Sequence, residues 1–131
     1  MIWIELYVKN APLRKFHLQG NYVFGRSKSK CDRFALALNS PVNVVVIPLL
    51  NISGFHAVLC SINGDYQIVD GWGDSYSTNG VFVNGVKVDF AILSNRDEVK
   101  LASSDVRIIY HEEVEDILNE EKSTLQNLPE I

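Results

Sequence analysis

The chain has few of the residues that would point to a disulfide-stapled, membrane-embedded or metal-bound protein. It contains two cysteines, Cys31 and Cys60, and no signal peptide precedes its first strand-like segment. A chain of 131 residues can bury a core without a disulfide, so we expect two reduced thiols in a cytoplasmic protein. No apolar run approaches the length of a membrane span, and the isolated cysteines lack metal-ligand spacing. We therefore expect no membrane association, no metal and no cofactor.

The sequence also lacks a recognisable catalytic grouping. His17 lies in an alternating segment and His111 at the start of the tail, and neither has a carboxylate or cysteine partner that spacing reveals. His56 opens an apolar segment, where a structural histidine is the ordinary interpretation. Because no nucleophile is paired with a base, we expect a protein that is not an enzyme and has no catalytic residues.

The net charge of −4 is unevenly distributed. Residues 1–110 carry 11 basic and 9 acidic side chains, whereas residues 111–131 carry 1 basic and 7 acidic side chains. A weakly basic body with an acidic tail argues against general nucleic-acid binding. It leaves room for a local anion site on the body.

Short apolar segments of strand length dominate the body of the chain. Residues 2–8 alternate with a period of two, as half-buried strands do. Asn63-Gly64 and Asn84-Gly85 each separate two such segments, which predicts hairpins because a type I′ turn needs positive φ at both central residues. Residues 42–47 are nearly all apolar and β-branched, which predicts a buried strand. About ten strands at regular spacing indicate an all-β antiparallel sandwich over residues 1–110.

The pattern changes near the end of the chain. The last two strands are predicted at Glu98–Ala102 and Val106–Tyr110, joined through Ser103–Asp105. Beyond them, apolar residues recur at helical spacing among acidic ones, which predicts an amphipathic helix over residues 112–127 of an acidic tail, 111–131. This helix would either dock on its own sandwich or serve as a linker or partner-binding segment.

A cationic loop is predicted directly after the third strand, beginning at Gly25. It carries four cations and two hydroxyls, at Arg26, Ser27, Lys28, Ser29, Lys30 and Arg33. Arginine presents a planar fork that matches phosphate oxygens, so this loop could surround an anion. A solvated basic loop is the alternative.

Two further loops carry hydroxyl and amide groups. Ser53 closes a loop between strands, and its hydroxyl could reach the same anion. The segment Ser77–Gly80 places Thr78 and Asn79 at a loop tip, where Asn79 can both donate to and accept from an extended peptide backbone. Ordinary turn chemistry is the alternative for this segment.

Taken in order, these three loops resemble the forkhead-associated (FHA) family. Its hallmarks stand here as Gly25-Arg26, Ser53-Gly54-Phe55-His56 and Thr78-Asn79-Gly80. The resemblance covers roughly residues 2–110. It implies an FHA-type β-sandwich of about 10–11 strands, whose loops bind a phosphothreonine-containing protein or peptide in Ser/Thr-kinase signalling.

The resemblance also implies a role for each motif residue. Arg26 and Ser53 would contact the phosphate. Thr78 would support the phosphoresidue, and Asn79 would hold the peptide backbone. Structural roles would fall to Gly25, His56 and Gly80. Apart from the resemblance, Ser27, Lys28 and Lys30 could add anion contacts. Lys28, Lys30 and Arg33 would add longer-range attraction, which salt screens.

One departure from the family pattern concerns the phosphate itself. The residue after Ser53 is usually polar and often contacts phosphate or peptide, but here it is Gly54, which keeps only its backbone N–H as a donor. The alternative function is therefore an FHA-fold interaction or self-association module that binds independently of phosphate. The sequence does not predict an oligomeric state.

Other departures concern loop length. The interval between Arg26 and Ser53 is longer than usual, and so is the loop Asp70–Tyr76. In that loop Trp72 and Tyr76 would form a pocket for the residues after the phosphothreonine, unless they pack only their own loop.

Overall fold

The computed structural model describes residues 1–38 and 41–112. The strands within these ranges, numbered in chain order, are β1 (Ile2–Val8), β2 (Arg14–His17), β3 (Asn21–Gly25), β4 (Val42–Val46), β5 (Ala57–Ile62), β6 (Asp65–Asp70), β7 (Val81–Val83), β8 (Val86–Val88), β9 (Phe90–Ile92), β10 (Glu98–Leu101) and β11 (Ser103–Glu112). One helix, α1, spans Lys28–Ala37. Among the described residues, no helix is long and apolar enough to cross a membrane, and no three His, Cys, Asp or Glu side chains are grouped to hold a metal ion.

The strands form two sheets that enclose the main core, as the predicted β-sandwich requires. One sheet has six strands in the order β2-β1-β11-β10-β7-β8, and the other has five in the order β4-β3-β5-β6-β9. Inward-facing residues of both sheets form a single buried cluster, which includes Ile4, Phe24, Leu59 and Tyr110. The prediction of an all-β sandwich is confirmed, although β9 and the helix were not predicted.

Both predicted Asn-Gly hairpins are present. Asn63 and Gly64 have φ angles of 54° and 87° between the antiparallel strands β5 and β6. Asn84 and Gly85 have φ angles of 50° and 85° between β7 and β8. Positive φ at both central residues is the signature of the type I′ turn that the sequence predicted.

One strand pair departs from the antiparallel prediction. β3 and β4 pair in parallel, from Asn21 opposite Val42 to Gly25 opposite Val46. Parallel neighbours need a crossover of about a dozen residues or more, and α1 lies within this one. The long interval between Arg26 and Ser53 therefore contains a helical crossover. β4 lies at the sheet edge, so the prediction of a buried strand is wrong at Asn43 and Val46, which are exposed.

α1 packs on the outer face of the five-stranded sheet. It contributes to a second buried cluster, formed by Val23, Cys31, Val58 and Cys60. Phe34 of the helix stacks on Phe55, with ring centroids 4.3 Å apart. Both cysteines are free and buried, and they lie beneath the helix and not between the sheets.

The prediction of a basic loop after β3 is wrong in its local structure. Ser27 is the N-cap of α1, and its hydroxyl accepts a hydrogen bond from the Lys30 N–H at 3.2 Å. An N-cap hydroxyl satisfies one of the amide groups that the first turn leaves unpaired. Lys28, Lys30 and Arg33 are therefore helical, and they point in different directions around the helix axis.

The end of the sandwich also differs from the prediction. Ser103–Asp105 belong to β11 and do not form a joining turn. The reversal occurs at Ala102, where φ is 71°, and the pairing register shifts just before it, between Lys100 and Leu101. β11 continues through Glu112, two residues beyond the predicted end of the strands. The remainder of the predicted amphipathic helix, and of the tail, lies outside the described residues.

Candidate functional site

Backbone hydrogen bonds join the end of β3 to the Ser53 loop. The Arg26 N–H donates to the Ser53 carbonyl at 2.9 Å, and the Ser27 N–H donates to the Gly54 carbonyl at 3.0 Å. The Arg26 Nε also donates to the carbonyl of Ile52 at 3.0 Å. These bonds hold the arginine stem beside Ser53, while the terminal nitrogens of an exposed guanidinium keep their N–H groups for a ligand.

Gly25 allows this close approach. A Cβ at this position would lie 2.2 Å from the Gly54 carbonyl oxygen and 2.6 Å from the Cys31 sulfur. The Cys31 thiol in turn donates to the same carbonyl at 3.4 Å. Burial raises the pKa of Cys31 to about 11, so the thiol stays protonated and remains a donor near neutral pH. The structure thus fastens the start of α1 to the Ser53 loop.

His56 connects the Ser53 loop to the Asn79 loop. It is fully buried, and its Nδ1 accepts from the Ser53 N–H at 3.0 Å. The proton therefore resides on Nε2, which donates to the Gly80 carbonyl at 2.8 Å. Burial lowers the pKa of His56 and favours this neutral form. This geometry fits the structural role that the resemblance implies.

The Ser53 hydroxyl lies between two of the loops. Its Oγ accepts from the Thr78 N–H at 2.9 Å, so the hydroxyl keeps its own proton to donate. Thr78 and Asn79 are both exposed. The structure therefore brings Arg26, Ser53, Thr78 and Asn79 together on one surface, as the resemblance implies.

Two residues that hold the Asn79 loop were missed by the sequence analysis. Asn51 accepts through its carbonyl from the Asn79 side-chain amide at 2.9 Å. Asp70 is buried, and its Oδ1 accepts from the Ser77 N–H at 2.8 Å. An aspartate at the end of an apolar strand was a weak signal of such a buried acceptor, whereas nothing in the sequence set Asn51 apart from other loop asparagines.

The predicted cations do not act as one cluster. Lys28 pairs with Asp32 at 2.6 Å on the exposed surface of the helix. Lys30 follows Lys28 by two residues, so the two side chains point about 160° apart around the helix axis. The Lys30 side chain lies over Gly54. Arg33 is exposed, and the Ser27 hydroxyl is engaged in capping. Among these four residues, it is the Lys30 side chain that lies over Gly54.

The two aromatic residues of the long loop occupy different surroundings. A short bridge between Trp72 and Ser75 closes the loop, and the Trp72 ring meets Phe34 of α1 edge-on at 5.6 Å. Trp72 lines a cavity of about 250 Å³ on the outer face of the sheet, together with Gln67, Val69, Gly73 and Phe90. Tyr76 is exposed and does not line this cavity.

Comparisons with known proteins agree with this architecture. The family model described as "FHA domain" matches residues 22–102. The Slr1951 protein from Synechocystis sp. is similar, with 28% identity, a TM-score of 0.61, and coverage of 84% of this chain and 94% of that one. The FHA domain of the CT664 protein from Chlamydia trachomatis is 21% identical, with a TM-score of 0.61 and coverage of 85% and 96%.

A third similar structure contains a peptide. The MEK1 FHA domain, solved in complex with a phosphothreonine peptide of HOP1, is 18% identical, with a TM-score of 0.54 and coverage of 82% of this chain and 94% of that one. At such identity the likeness shows the fold alone. None of the curated proteins compared with the chain matches it.

Proposed function

The chain belongs to the FHA domain family, and from that premise we propose that it binds partner proteins through phosphothreonine-containing peptides and catalyses no reaction. The observation that carries this proposal is the hydrogen bond from the Arg26 N–H to the Ser53 carbonyl at 2.9 Å. It joins the backbone of Arg26 to that of Ser53, so the guanidinium and the hydroxyl extend from adjacent backbone positions. Both groups donate hydrogen bonds, which is what a phosphate requires.

The expected strength of binding follows from the number of donors. A phosphothreonine brings about two negative charges and three acceptor oxygens. Each charge-assisted hydrogen bond contributes roughly 1.5–3 kcal/mol net, so removing Arg26 should weaken binding at least about tenfold. An extended peptide across loops buries little area, and we expect micromolar affinity.

The peptide on either side of the phosphate would be held by the neighbouring loop. Asn79 uses one amide proton on the Asn51 carbonyl, which leaves its side-chain oxygen and second proton for a peptide backbone. Thr78 would support the phosphoresidue. Trp72 and Tyr76 would contact residues after the phosphothreonine, as the specificity loop. A Ser/Thr kinase in the cytoplasm would phosphorylate the threonine of the partner protein.

A degenerate phosphothreonine peptide library tests this proposal. The full chain is screened against the library and against its unphosphorylated counterpart, with Arg26→Ala as the variant. We expect enrichment that requires both the phosphate and Arg26, and the enriched sequences would reveal the preferred flanking residues. Equal binding of the two libraries by a folded chain would contradict the proposal.

A second candidate function is protein binding that does not depend on phosphate, including self-association. One observation favours it: apolar side chains are exposed beside the 250 Å³ cavity on the outer face of β6 and β9. Phe90 and Ile92 of the edge strand β9 are each 63% exposed. Exposed apolar groups on a sheet edge are typical of interaction surfaces. This candidate predicts binding that survives Arg26→Ala and is lost in Phe90→Ser.

A further inference from the structure

Gly54 is not required by the backbone of its loop. It is absent from the glycines with positive φ, so its conformation is open to residues that carry a side chain. The obstacle lies in the space above it. A Cβ at this position would come within 2.7 Å of the Cδ of Lys30, 3.4 Å of its Cε and 3.3 Å of its Nζ. The Lys30 stem occupies the volume that a side chain at position 54 would need.

The helix holds Lys30 in this place. The Ser27 N–H donates to the Gly54 carbonyl at 3.0 Å, and the Cys31 thiol donates to the same carbonyl at 3.4 Å. Lys30 lies between these two residues in the first turn of α1. The backbone at Lys30 is therefore held close to the loop on both sides, and its side chain lies over Gly54 while the residue stays exposed.

No acidic side chain among the described residues balances the charge of Lys30. The first turn of α1 contains no acidic residue, and a cation there opposes the helix dipole. For Lys28, an ion pair with Asp32 at 2.6 Å offsets this unfavourable interaction with the helix dipole. Within residues 1–38 and 41–112, Lys30 forms no ion pair. An anion bound beside Ser53 would supply the missing partner.

We propose that Lys30, projecting from the helix inserted after Arg26, replaces the side chain that Gly54 lacks and binds the phosphate of the phosphopeptide. The proposal rests on the proposed function, because it assigns a third donor to the same phosphate. Gly54 and Lys30 are then a complementary pair: the glycine makes room for the lysine, and the lysine supplies the cation.

A double-mutant cycle on the full chain tests this pairing. The probe is a fluorescein-labelled degenerate phosphothreonine peptide pool, with its unphosphorylated twin as reference. Lys30→Ala should weaken phosphate-dependent binding about tenfold, since one charge-assisted contact is lost. Gly54→Ala should weaken it about three- to tenfold by displacing Lys30, yet should change it less than about twofold in the Lys30→Ala background.

Two control variants separate contact from general attraction. Lys15→Ala removes the same charge from β2 in the other sheet and should leave the affinity unchanged. Lys28→Ala removes the same charge from the same helical turn and should cost less than about threefold, through screened long-range attraction alone. The double variant Lys30→Ala with Gly54→Lys supplies the cation from the loop and not from the helix. It should recover affinity to within about threefold of wild type.

The outcomes distinguish this inference from the proposed function. If wild type binds the phosphorylated pool and Arg26→Ala weakens that binding, while Lys30→Ala has no more effect than Lys15→Ala, the role of Lys30 is refuted alone. The role of Lys30 would also be refuted if the affinity losses of Lys30→Ala and Gly54→Ala add in the double variant. Additive losses would mean that the two substitutions act through separate contacts. If wild type does not distinguish the pool from its unphosphorylated twin, the proposed function fails and this inference fails with it.

Discussion

The buried His56 makes the stability of the domain depend on pH in a defined direction. Burial holds its pKa in the folded state below the ordinary value of 6.5, whereas the unfolded chain takes up a proton near that value. Below pH 6.5 the unfolded state therefore binds more protons than the folded state. The free energy of unfolding should fall by up to about 1.4 kcal/mol per pH unit until the folded pKa is reached.

The substitution His56→Gln removes this titration while keeping a polar side chain of similar length. It should cost about 1–3 kcal/mol at neutral pH, because at least one of the two backbone groups that His56 bridges loses its partner. The stability gap between wild type and variant should then narrow as the pH is lowered from about 7.5 to about 5.5, since only wild type loses stability through His56.

Urea unfolding followed by tryptophan fluorescence measures both quantities. The two other histidines are present in both proteins, so their contributions cancel in the difference. A gap that stays constant across the pH range would show that His56 is not held neutral by burial, and the argument for its bridging tautomer would be refuted. A gap that widens on acidification would refute it as well.

Three further predictions follow from the site geometry. Gly25→Ala should destabilise the fold by about 1–3 kcal/mol, measured by urea unfolding, because the new Cβ meets the Gly54 carbonyl at 2.2 Å; an unchanged midpoint would contradict this close approach. Asn79→Ala should weaken phosphopeptide binding by more than about tenfold. It should lower the free energy of unfolding by only about 1 kcal/mol, which is the contribution of the lost hydrogen bond to Asn51. Peptide titration and urea unfolding check both values, and a loss of stability without a loss of affinity would contradict the prediction. Cys31 should resist iodoacetamide at neutral pH in the native chain and react on unfolding, because it is buried and its pKa is about 11; rapid native labelling, read by mass spectrometry, would contradict its placement.

The strands and hairpins could be predicted because their determinants are local. The alternation of residues along β1 predicts a strand, and the Asn-Gly pairs at Asn63 and Asn84 predict hairpin turns. Both predictions need only residues that are adjacent in the sequence. β9 was not predicted because it has only three residues and, unlike the equally short β7 and β8, does not flank an Asn-Gly turn. The order of the motif loops indicated the family, and that placed Arg26, Ser53 and Asn79 near one another.

The helix α1 could not be predicted because its local signals conflict. Ser27 is a good N-cap residue, but lysines in the first turn oppose the helix dipole, and a basic run next to a glycine is more typical of a loop. What stabilises α1 is the packing of Cys31 and Phe34 against the sheet and Phe55, which is a tertiary contact. The position of Lys30 over Gly54 depends on that packing, so it could not be predicted from the sequence either.

The central claim, that the phosphate binds where the three loops meet, is tested most directly by an amide NMR titration. The full chain is titrated with a phosphothreonine peptide and with its unphosphorylated twin. We expect the largest shifts at Arg26, Ser53, Thr78 and Asn79, and only with the phosphorylated peptide. Shifts that do not depend on phosphate, or that fall instead on Phe90 and Ile92 of the edge strand β9, would contradict the claim.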